Sequence, residues 1–464
     1  MTATAPEKKK KKERDGDEAP DKVIERLNDH HALILLGDRP VVLREGVGAD
    51  GREEIRLLSV GGFHEWMRPD VVWGGGARPM QASKLWFDSP KRRGYDGLVF
   101  DPSRSSPTSY YNMWKGWAVE PAPTNTRAKC QLFLNHVADN VCNGDEALFA
   151  WVMGWFASLF QDPTDKLGTS LVLRGSQGSG KTKVGEVIGS LLGHHYALVA
   201  DSRYIVGRFN SHLANCLLLQ LDEATWGGDH AAAGKLKDII TGEYQYIEYK
   251  GREPVKLRNY VRLLVTGNNR WLIPAGIEER RFAVLDVSDA QRQNNEYFRA
   301  IDEQLDNGGR EALLRYLLDY DLKDIPLRTI PRTAALAEQK VNSLSPEQHW
   351  WLDILTRAVL PGDVNGEGET ETEKLYTHYV TTSQRAGVNR KSWETQLGHA
   401  LRGMVPKLER KRRLVHLAGG GSERQYVYRF PSLLECRKEF DRITGDSSGW
   451  GDDAPTGWLE DRSK

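Results

Sequence analysis

The sequence predicts an α/β nucleotide-binding fold, and three of its features support that prediction. An apolar, β-prone run at residues 169–173 leads into the loop Gly175 to Thr182, which fits G-x-x-x-x-G-K-[ST]. The residues after the loop are apolar at helical spacing. Two later apolar runs end in polar residues, at Asp222 and at Asn268. Strand, glycine loop and helix in this order form the context that a phosphate-binding loop requires.

The loop residues have the chemistry that a nucleoside triphosphate needs. Gly175, Gly178 and Gly180 let the backbone approach the phosphates, and the backbone N–H groups of the loop form a nest for anions. The start of the following helix adds its positive dipole end. Lys181 can reach the β- and γ-phosphates, and the hydroxyl of Thr182 can ligate Mg²⁺. These residues are therefore the candidate nucleotide and metal ligands.

The apolar run at residues 216–221 ends in two carboxylates, Asp222 and Glu223. A strand would carry both to the carboxyl edge of the sheet, where α/β folds bind their ligands. There Asp222 would hold Mg²⁺ through water, opposite Thr182, and Glu223 would orient and activate the attacking water. The alternative is a strand that ends in polar residues without a catalytic role. The spacing from Lys181 favours the catalytic interpretation.

A further apolar strand is predicted just before Asn268 and Asn269. An Asn at this place can hydrogen-bond the γ-phosphate or the attacking water, and so report the nucleotide state to the backbone. Either Asn would also be an ordinary turn residue, so the sequence leaves both interpretations open.

Arg280 and Arg281 precede the next predicted strand. The phosphate charge of the transition state requires a guanidinium, which is often supplied by a neighbouring subunit. One of the two arginines is predicted to form a local salt bridge instead, and the sequence does not decide which.

Residues 244–262 predict a β-hairpin, with aromatic and β-branched residues flanking a basic tip of Lys250, Gly251 and Arg252. In a ring such tips would point into the pore and grip DNA phosphates, an interaction that weakens with salt. The alternative is a solvated basic hairpin. The position of the tip between two catalytic strands, where it could move with the ATP state, favours DNA contact through Lys250 and Arg252.

Composition limits the function classes. The 464 residues carry 64 Lys and Arg and 64 Asp and Glu, so any nucleic-acid contact must come from local basic patches. The four cysteines form no C-x-x-C pair, and Cys130, His136 and Cys142 have poor spacing for a metal site, so we predict that they belong to the core. No apolar run approaches 18 residues, and Met1 is not followed by an apolar signal region. We therefore expect a soluble intracellular protein with no membrane partner.

Shifts in composition and periodicity divide the chain into segments. They are a disordered tail at 1–20, an α+β accessory domain at 21–123, a helical collar at 124–165, a nucleotide-binding core at 166–290, a helical connector at 291–360, a domain of helices and a basic hairpin at 374–445, and a tail at 446–464.

Together these residues resemble the superfamily 3 helicases, which are AAA+ ATPases of small viruses, phages and mobile elements. The resemblance is carried by Gly-Ser-Gln-Gly-Ser-Gly-Lys-Thr, Leu-Leu-Gln-Leu-Asp-Glu-Ala, Val-Thr-Gly-Asn-Asn and Glu-Arg-Arg-Phe, in that order. It looks closest to the helicase part of phage primase–polymerase proteins and of poxvirus-type primase–helicases. The C-terminal segment also resembles the winged-helix ending of the family, where the basic cluster at 410–413 would either contact DNA phosphates or form a solvated sheet edge.

The resemblance implies a P-loop NTPase of AAA+ type that works as a hexameric ring, uses ATP with Mg²⁺ and travels 3′→5′ on single-stranded or forked DNA. By that match Lys181, Thr182, Asp222, Glu223 and Asn268 take the ATPase roles, and Arg280 or Arg281 is the arginine finger. The resemblance also implies a replicative role in a phage or mobile element, the cytoplasm of the host cell, and a primase or polymerase as partner.

The sequence leaves two alternatives to a helicase open. One is a DNA-binding ATPase that acts as an origin-recognition or loading factor without unwinding, and a fork-unwinding assay separates it from a helicase. The other is a nucleotide-gated scaffold without turnover. The carboxylates of Asp222 and Glu223 argue against the scaffold. A measurement of steady-state ATP turnover would decide between a scaffold and an ATPase.

Overall fold

The computed structural model describes residues 19–48, 53–73, 79–200, 207, 210–223, 230–269, 271–273, 275, 279–387, 391–416, 422–444, 450–451 and 453–462. Residues 1–18 of the predicted N-terminal tail lie outside the described residues. In the described residues the buried apolar side chains form three clusters: one at the N-terminus, a large central one and one at the C-terminus.

The N-terminal region contains a four-stranded sheet, in which three strands are antiparallel and a short fourth strand is parallel to its neighbour, with helices on one face. Its first two strands form a hairpin with a turn at Gly37, where φ is +63°. Alternate residues of its second strand point to opposite faces, so Val42 joins the N-terminal cluster while Val41 and Leu43 join the central one. This region is therefore packed directly on the central body. Its elements are α1 Pro20–His30, β1 His31–Leu36, β2 Arg39–Val47, β3 Glu53–Ser59, α2 Val60–Trp66, β4 Val71–Val72, β5 Met80–Gln81, α3 Ala82–Asp88, β6 Gly94–Tyr95, β7 Gly97–Val99 and β8 Tyr110–Asn112.

Short helices and one long helix follow. The long helix begins at Glu146, and the carboxylate of the preceding Asp145 caps it by accepting a hydrogen bond from the N–H of Leu148 at 2.9 Å. Its residues from Trp151 to Phe160 are all buried, as their apolar pattern predicts. Cys130 and Cys142 are buried as well. The elements are a 3₁₀ turn Arg127–Cys130, α4 Gln131–Asn135, a π-helix His136–Val141 and α5 Glu146–Gln161.

The central body contains a five-stranded parallel sheet of order β10-β11-β14-β9-β15. Because all five strands run the same way, the segments that follow β9, β11 and β14 emerge side by side at one edge. The elements are β9 Ser170–Arg174, α6 Lys181–Leu192, β10 Tyr196–Val199, β11 Leu218–Asp222, α7 His230–Thr241, β12 Tyr244–Ile247, β13 Val255–Arg258, β14 Arg262–Gly267 and β15 Phe282–Asp286.

Helices complete the central body, and a separate C-terminal unit follows it. That unit has the order helix, strand, helix, helix, strand, strand, helix around its own apolar cluster. The helices after the sheet are α8 Asn295–Gln304, a π-helix Leu305–Gly309, α9 Arg310–Leu318 and α10 Ala334–Asn342. The C-terminal elements are α11 Pro346–Arg357, β16 Glu369–Glu371, α12 Thr372–Arg385, α13 Glu394–Met404, β17 Glu409–His416, β18 Ser422–Arg429 and α14 Leu433–Thr444.

Two of the expected boundaries in the C-terminal third differ from the structure. Helix α11 was expected in the connector, but its buried Trp350 and Trp351 lie in the C-terminal cluster. The expected tail at 446–464 is not free over its described part, because Trp450 and Trp458 also pack against that cluster. In both cases large aromatic side chains pack on elements that are distant in sequence.

Helix α6 packs on the sheet through a glycine, and this contact gives a first testable prediction. A Cβ added at Gly185 would overlap the Gln220 side chain and lie 2.8 Å from Leu264 Cδ2. We expect Gly185→Ala to lower the free energy of unfolding by about 1–3 kcal/mol through overpacking. Gly234→Ala, in the middle of α7 with open space around it, should instead raise stability by about 0.5–1 kcal/mol. Urea unfolding followed by circular dichroism measures both, and equal midpoints for the two variants would contradict the packing.

Candidate nucleotide-binding site

The glycine loop has the local geometry that its sequence predicts. Gly178 and Gly180 adopt φ values of +83° and +90°, which a residue with a Cβ rarely takes, and α6 starts directly afterwards at Lys181. The carbonyl of Gly178 accepts a hydrogen bond from the N–H of Gln293 at 2.9 Å. At Gly175 an added Cβ would lie 3.0 Å from the carbonyl oxygen of Val287. The loop is therefore held between its own helix and the segment after β15.

Lys181 is buried in the loop with acidic groups around it. Its ammonium donates a hydrogen bond to the carbonyl of Ser176 at 2.7 Å. Burial lowers the pKa of Lys181, and the nearby carboxylates of Asp222, Glu223 and Asp289 oppose that shift. The ammonium thus lies at the point where the loop and the acidic strand end converge.

Thr182 and Asp222 face each other across this edge, as predicted. The hydroxyl of Thr182 lies 3.2 and 3.3 Å from the two carboxylate oxygens of Asp222. Hydroxyl and carboxylate oxygens are the ligands that Mg²⁺ prefers, and this ion usually takes one or two carboxylates besides phosphates and water. Among the described residues no group of three or more His, Cys, Asp or Glu side chains is placed to hold a metal ion. The donor set of Thr182 and Asp222 fits a shared Mg²⁺.

Glu223 follows Asp222 in a strained backbone conformation. Its φ is +53°, which is uncommon for a residue other than glycine, and its N–H donates to the carbonyl of Thr266 at 2.8 Å. Such conformations persist where the surroundings fix them, and they cluster at functional sites. Its side chain is exposed next to Lys181, at the same edge as Asp222.

Asn268 and Asn269 lie where the sequence placed them, immediately after β14, and both are exposed. Strand β14 lies between the strand that leads into the glycine loop and the strand that carries the carboxylates. An amide that follows β14 is therefore positioned at the same edge as both.

Arg280 and Arg281 lie at the amino-terminal edge of the parallel sheet, opposite the edge that carries the glycine loop. They precede β15, whose first residue, Phe282, pairs with Ser170, while its last, Asp286, pairs with Arg174 next to the loop. At about 3.3 Å per residue, roughly 13 Å of sheet separates the arginines from the glycine loop of their own chain. Arg281 forms the local salt bridge, 3.7 Å from the buried carboxylate of Glu279. Arg280 is exposed and makes no ion pair within the described part of the chain.

The hairpin is present, but its two basic tip residues differ in environment. Lys250 is exposed, whereas the guanidinium of Arg252 donates a hydrogen bond to the carbonyl of Leu57 in β3, at 2.9 Å. Burial lowers the pKa of Arg252. Arg252 is therefore not a free tip residue like Lys250, because its guanidinium is hydrogen-bonded to the N-terminal sheet.

Sequence reasoning missed the residues that hold the carboxylate in place. The hydroxyl of Thr266, on β14, donates to Asp222 Oδ1 at 2.6 Å. Gln220, buried in β11, donates to the carbonyl of Thr182 and to the hydroxyl of Thr266, both at 3.3 Å. Its side-chain oxygen accepts a hydrogen bond from Tyr196 at 2.5 Å. A buried Gln in an apolar strand was the available signal, since such a polar group needs partners.

A second missed contact reaches the loop from the helical collar. The Nε2 of His136 lies 3.4 Å from the carbonyl of Gly180, and its Nδ1 lies 3.3 Å from the hydroxyl of Tyr297. Burial lowers the pKa of His136, which favours the neutral ring. This histidine belongs to the π-helix, and π-helical turns are frequent at functional sites.

Comparisons with known proteins place the chain near a phage replication protein. Residues 173–281 match a family model described as a family of unknown function, DUF5906. The chain is homologous to the DNA primase-polymerase of Nitratiruptor phage NrS-1, with 24% identity over 159 residues, which is 33% of this chain. The match spans 22% of the length of that relative.

The fold is similar to solved structures of the C-terminal region of NrS-1. One apo structure, of its residues 305–718, superposes with a TM-score of 0.60 at 15% sequence identity, over 88% of this chain and 98% of that chain. A second, the A form of the same region, also has a TM-score of 0.60 at 15% identity and covers 89% of this chain and 100% of that chain. At this level of identity the likeness shows a shared fold. In the described segments no helix has the length and apolarity needed to cross a bilayer.

Proposed function

We propose that the chain is an ATP-dependent DNA helicase of AAA+ type, of superfamily 3, that serves DNA replication in a phage or mobile element. The observation that carries the proposal is the meeting of Lys181, Thr182 and Asp222 at one sheet edge. The hydroxyl and the carboxylate lie 3.2 Å apart, next to the glycine loop. Homology to a phage primase-polymerase supports the replicative setting, and a primase or polymerase as partner. The proposed location is the cytoplasm of the host cell.

The geometry suggests how the site would act on ATP. The N–H groups of the loop and the start of α6 bind the triphosphate, and Lys181 leaves the carbonyl of Ser176 to contact the β- and γ-phosphates. Thr182 and Asp222 would hold Mg²⁺, which neutralises phosphate charge when bound. Thr266 keeps Asp222 in place through its 2.6 Å hydrogen bond. Glu223 orients the attacking water and accepts its proton. Asn268 hydrogen-bonds the γ-phosphate and so couples the nucleotide state to β14.

The position of Arg280 supports a ring. Because it lies at the edge opposite its own loop, an exposed Arg280 can serve only the triphosphate of a neighbouring subunit. We therefore propose a homo-oligomer, a hexamer by the family resemblance, in which each nucleotide is shared between two subunits. Single-stranded DNA would pass through the ring and contact Lys250, which the structure leaves exposed.

The proposal is tested with Glu223→Gln. We expect this variant to bind ATP and DNA but to turn ATP over about 100-fold to 10,000-fold more slowly, because it lacks the base. Wild-type protein should hydrolyse ATP faster with single-stranded DNA and should unwind a fork, while Glu223→Gln should unwind none. A coupled phosphate-release assay and a fluorescent fork substrate measure both activities. Equal turnover by the two proteins would remove Glu223 from this role.

The alternative function is a DNA-binding ATPase that recognises or loads onto an origin. The C-terminal unit favours it, because its basic strand β17 is exposed and forms a hairpin with β18. Wild-type protein that hydrolyses ATP and binds duplex DNA but separates no strands at a fork would support this function over a helicase.

A further inference from the structure

The outer face of the hairpin β12–β13 carries an unusual set of side chains. Tyr244 and Tyr246 are 41% and 63% exposed, on a strand whose other face is buried. Lys256 and Arg258 stand directly opposite them, since the register pairs Tyr246 with Lys256 and Tyr244 with Arg258. All four therefore lie on one exposed face, while Gln245, Ile247 and Leu257 fill the buried face.

Two cations lie near the ring of Tyr244 on this face. The ammonium of Lys256 lies 4.2 Å from the centre of the Tyr244 ring, and the guanidinium of Arg258 lies 5.9 Å from it. Arg258 is also paired with Glu243, at 3.1 Å. The two tyrosines are two residues apart on one strand, so roughly 6.7 Å separates their points of attachment. Two exposed rings this far apart on one face can each stack on a base of the same strand.

The charge of the hairpin argues against a purely electrostatic grip. Between residues 243 and 258 four cations, Lys250, Arg252, Lys256 and Arg258, stand against three carboxylates, Glu243, Glu248 and Glu253. One of the four, Arg252, is already held by the N-terminal sheet. A segment so close to neutral gains little from phosphate neutralisation alone, whereas exposed aromatic rings gain from stacking on any base.

We propose that the outer face of this hairpin is a stacking platform for the bases of single-stranded DNA, with Tyr246 and Tyr244 against the bases and Lys256 and Arg258 beside the phosphates. The inference rests on the proposed function in taking single-stranded DNA as the ligand. Strand β13 runs into β14 with only residues 259–261 between, and β14 carries Thr266, which contacts Asp222. A base held on the platform is thus linked by one continuous segment to the nucleotide site.

The test compares two oligonucleotides that differ only in their bases. One is a labelled oligothymidylate, and the other is an abasic strand of the same length that keeps every phosphate. Replacing both rings, Tyr244→Ala with Tyr246→Ala, should weaken binding of the oligothymidylate by at least about 10-fold, since each stacked ring contributes substantially. The same double variant should bind the abasic strand as wild-type protein does. The Tyr→Phe pair keeps the rings, so it should bind both strands like wild-type protein, which also controls for folding.

The salt dependence of binding separates stacking on bases from charge contacts with phosphates. The slope of log affinity against log salt should be unchanged in the Ala pair and should fall by about one in Lys256→Ala, which removes a phosphate contact. If the Ala pair loses affinity equally for both strands, or loses none while wild-type protein binds normally, the platform is refuted and the proposed helicase function stands. If wild-type protein binds neither strand, the DNA part of the proposed function fails together with the platform.

Discussion

Lys181→Ala is expected to abolish ATP turnover and to weaken nucleotide binding at least about 100-fold. Among the described residues, the ammonium of Lys181 is the one cation that the structure places inside the glycine loop. It lies 2.7 Å from the Ser176 carbonyl. Removing it leaves the β- and γ-phosphates without their charge partner in the ground state and in the transition state. Titration with a fluorescent ATP analogue measures the binding, and a phosphate-release assay measures the turnover.

Lys183→Ala is the matched control for this substitution. Lys183 lies two residues further along the same helix, but its ammonium is paired with Asp302 at 2.8 Å. This control should retain turnover within a few-fold, since partly exposed ion pairs contribute about 1 kcal/mol or less. Wild-type turnover by Lys181→Ala would show that nucleotide binds elsewhere.

Arg280→Ala should lower turnover by about 1,000-fold or more while leaving ATP binding intact, because an arginine finger acts on the transition state. Arg281→Ala should affect turnover less, since Arg281 is paired with Glu279 in its own chain. The decisive measurement mixes two inactive proteins, Arg280→Ala and Lys181→Ala. In a mixed ring the intact loop of the first meets the intact Arg280 of the second, so activity should return.

The mixture also identifies which chain supplies the finger. Recovery that follows the fraction of correctly paired neighbours supports action between subunits. A mixture that stays as inactive as its two components, although both variants still assemble by light scattering, would contradict the shared site.

Local signals in the sequence predicted the parts of the site that depend on local structure. The run of glycines, the lysine after it and the carboxylates at the end of an apolar strand all lie where the sequence placed them, because spacing along a strand or helix fixes which edge a residue reaches. The same holds for the hairpin β12–β13.

The missed contacts depend on which strands become neighbours. Thr266 meets Asp222 only because β14 lies beside β11, and a single sequence does not state strand order. Arg252 reaches a carbonyl 195 residues away in the chain, so its partner could not be inferred from the pattern around it. Trp450 and Trp458 looked like parts of a polar tail because their partners belong to helices and strands far earlier in sequence.

The separate C-terminal cluster has a consequence for how the protein melts. Its buried side chains form a body of their own, which the central cluster does not share. We expect two bodies of this kind to unfold in distinct cooperative steps, so that a single melting temperature would not describe the chain. A nucleotide seated at the glycine loop would shift only the central step, since binding stabilises only the unit that unfolds with the site.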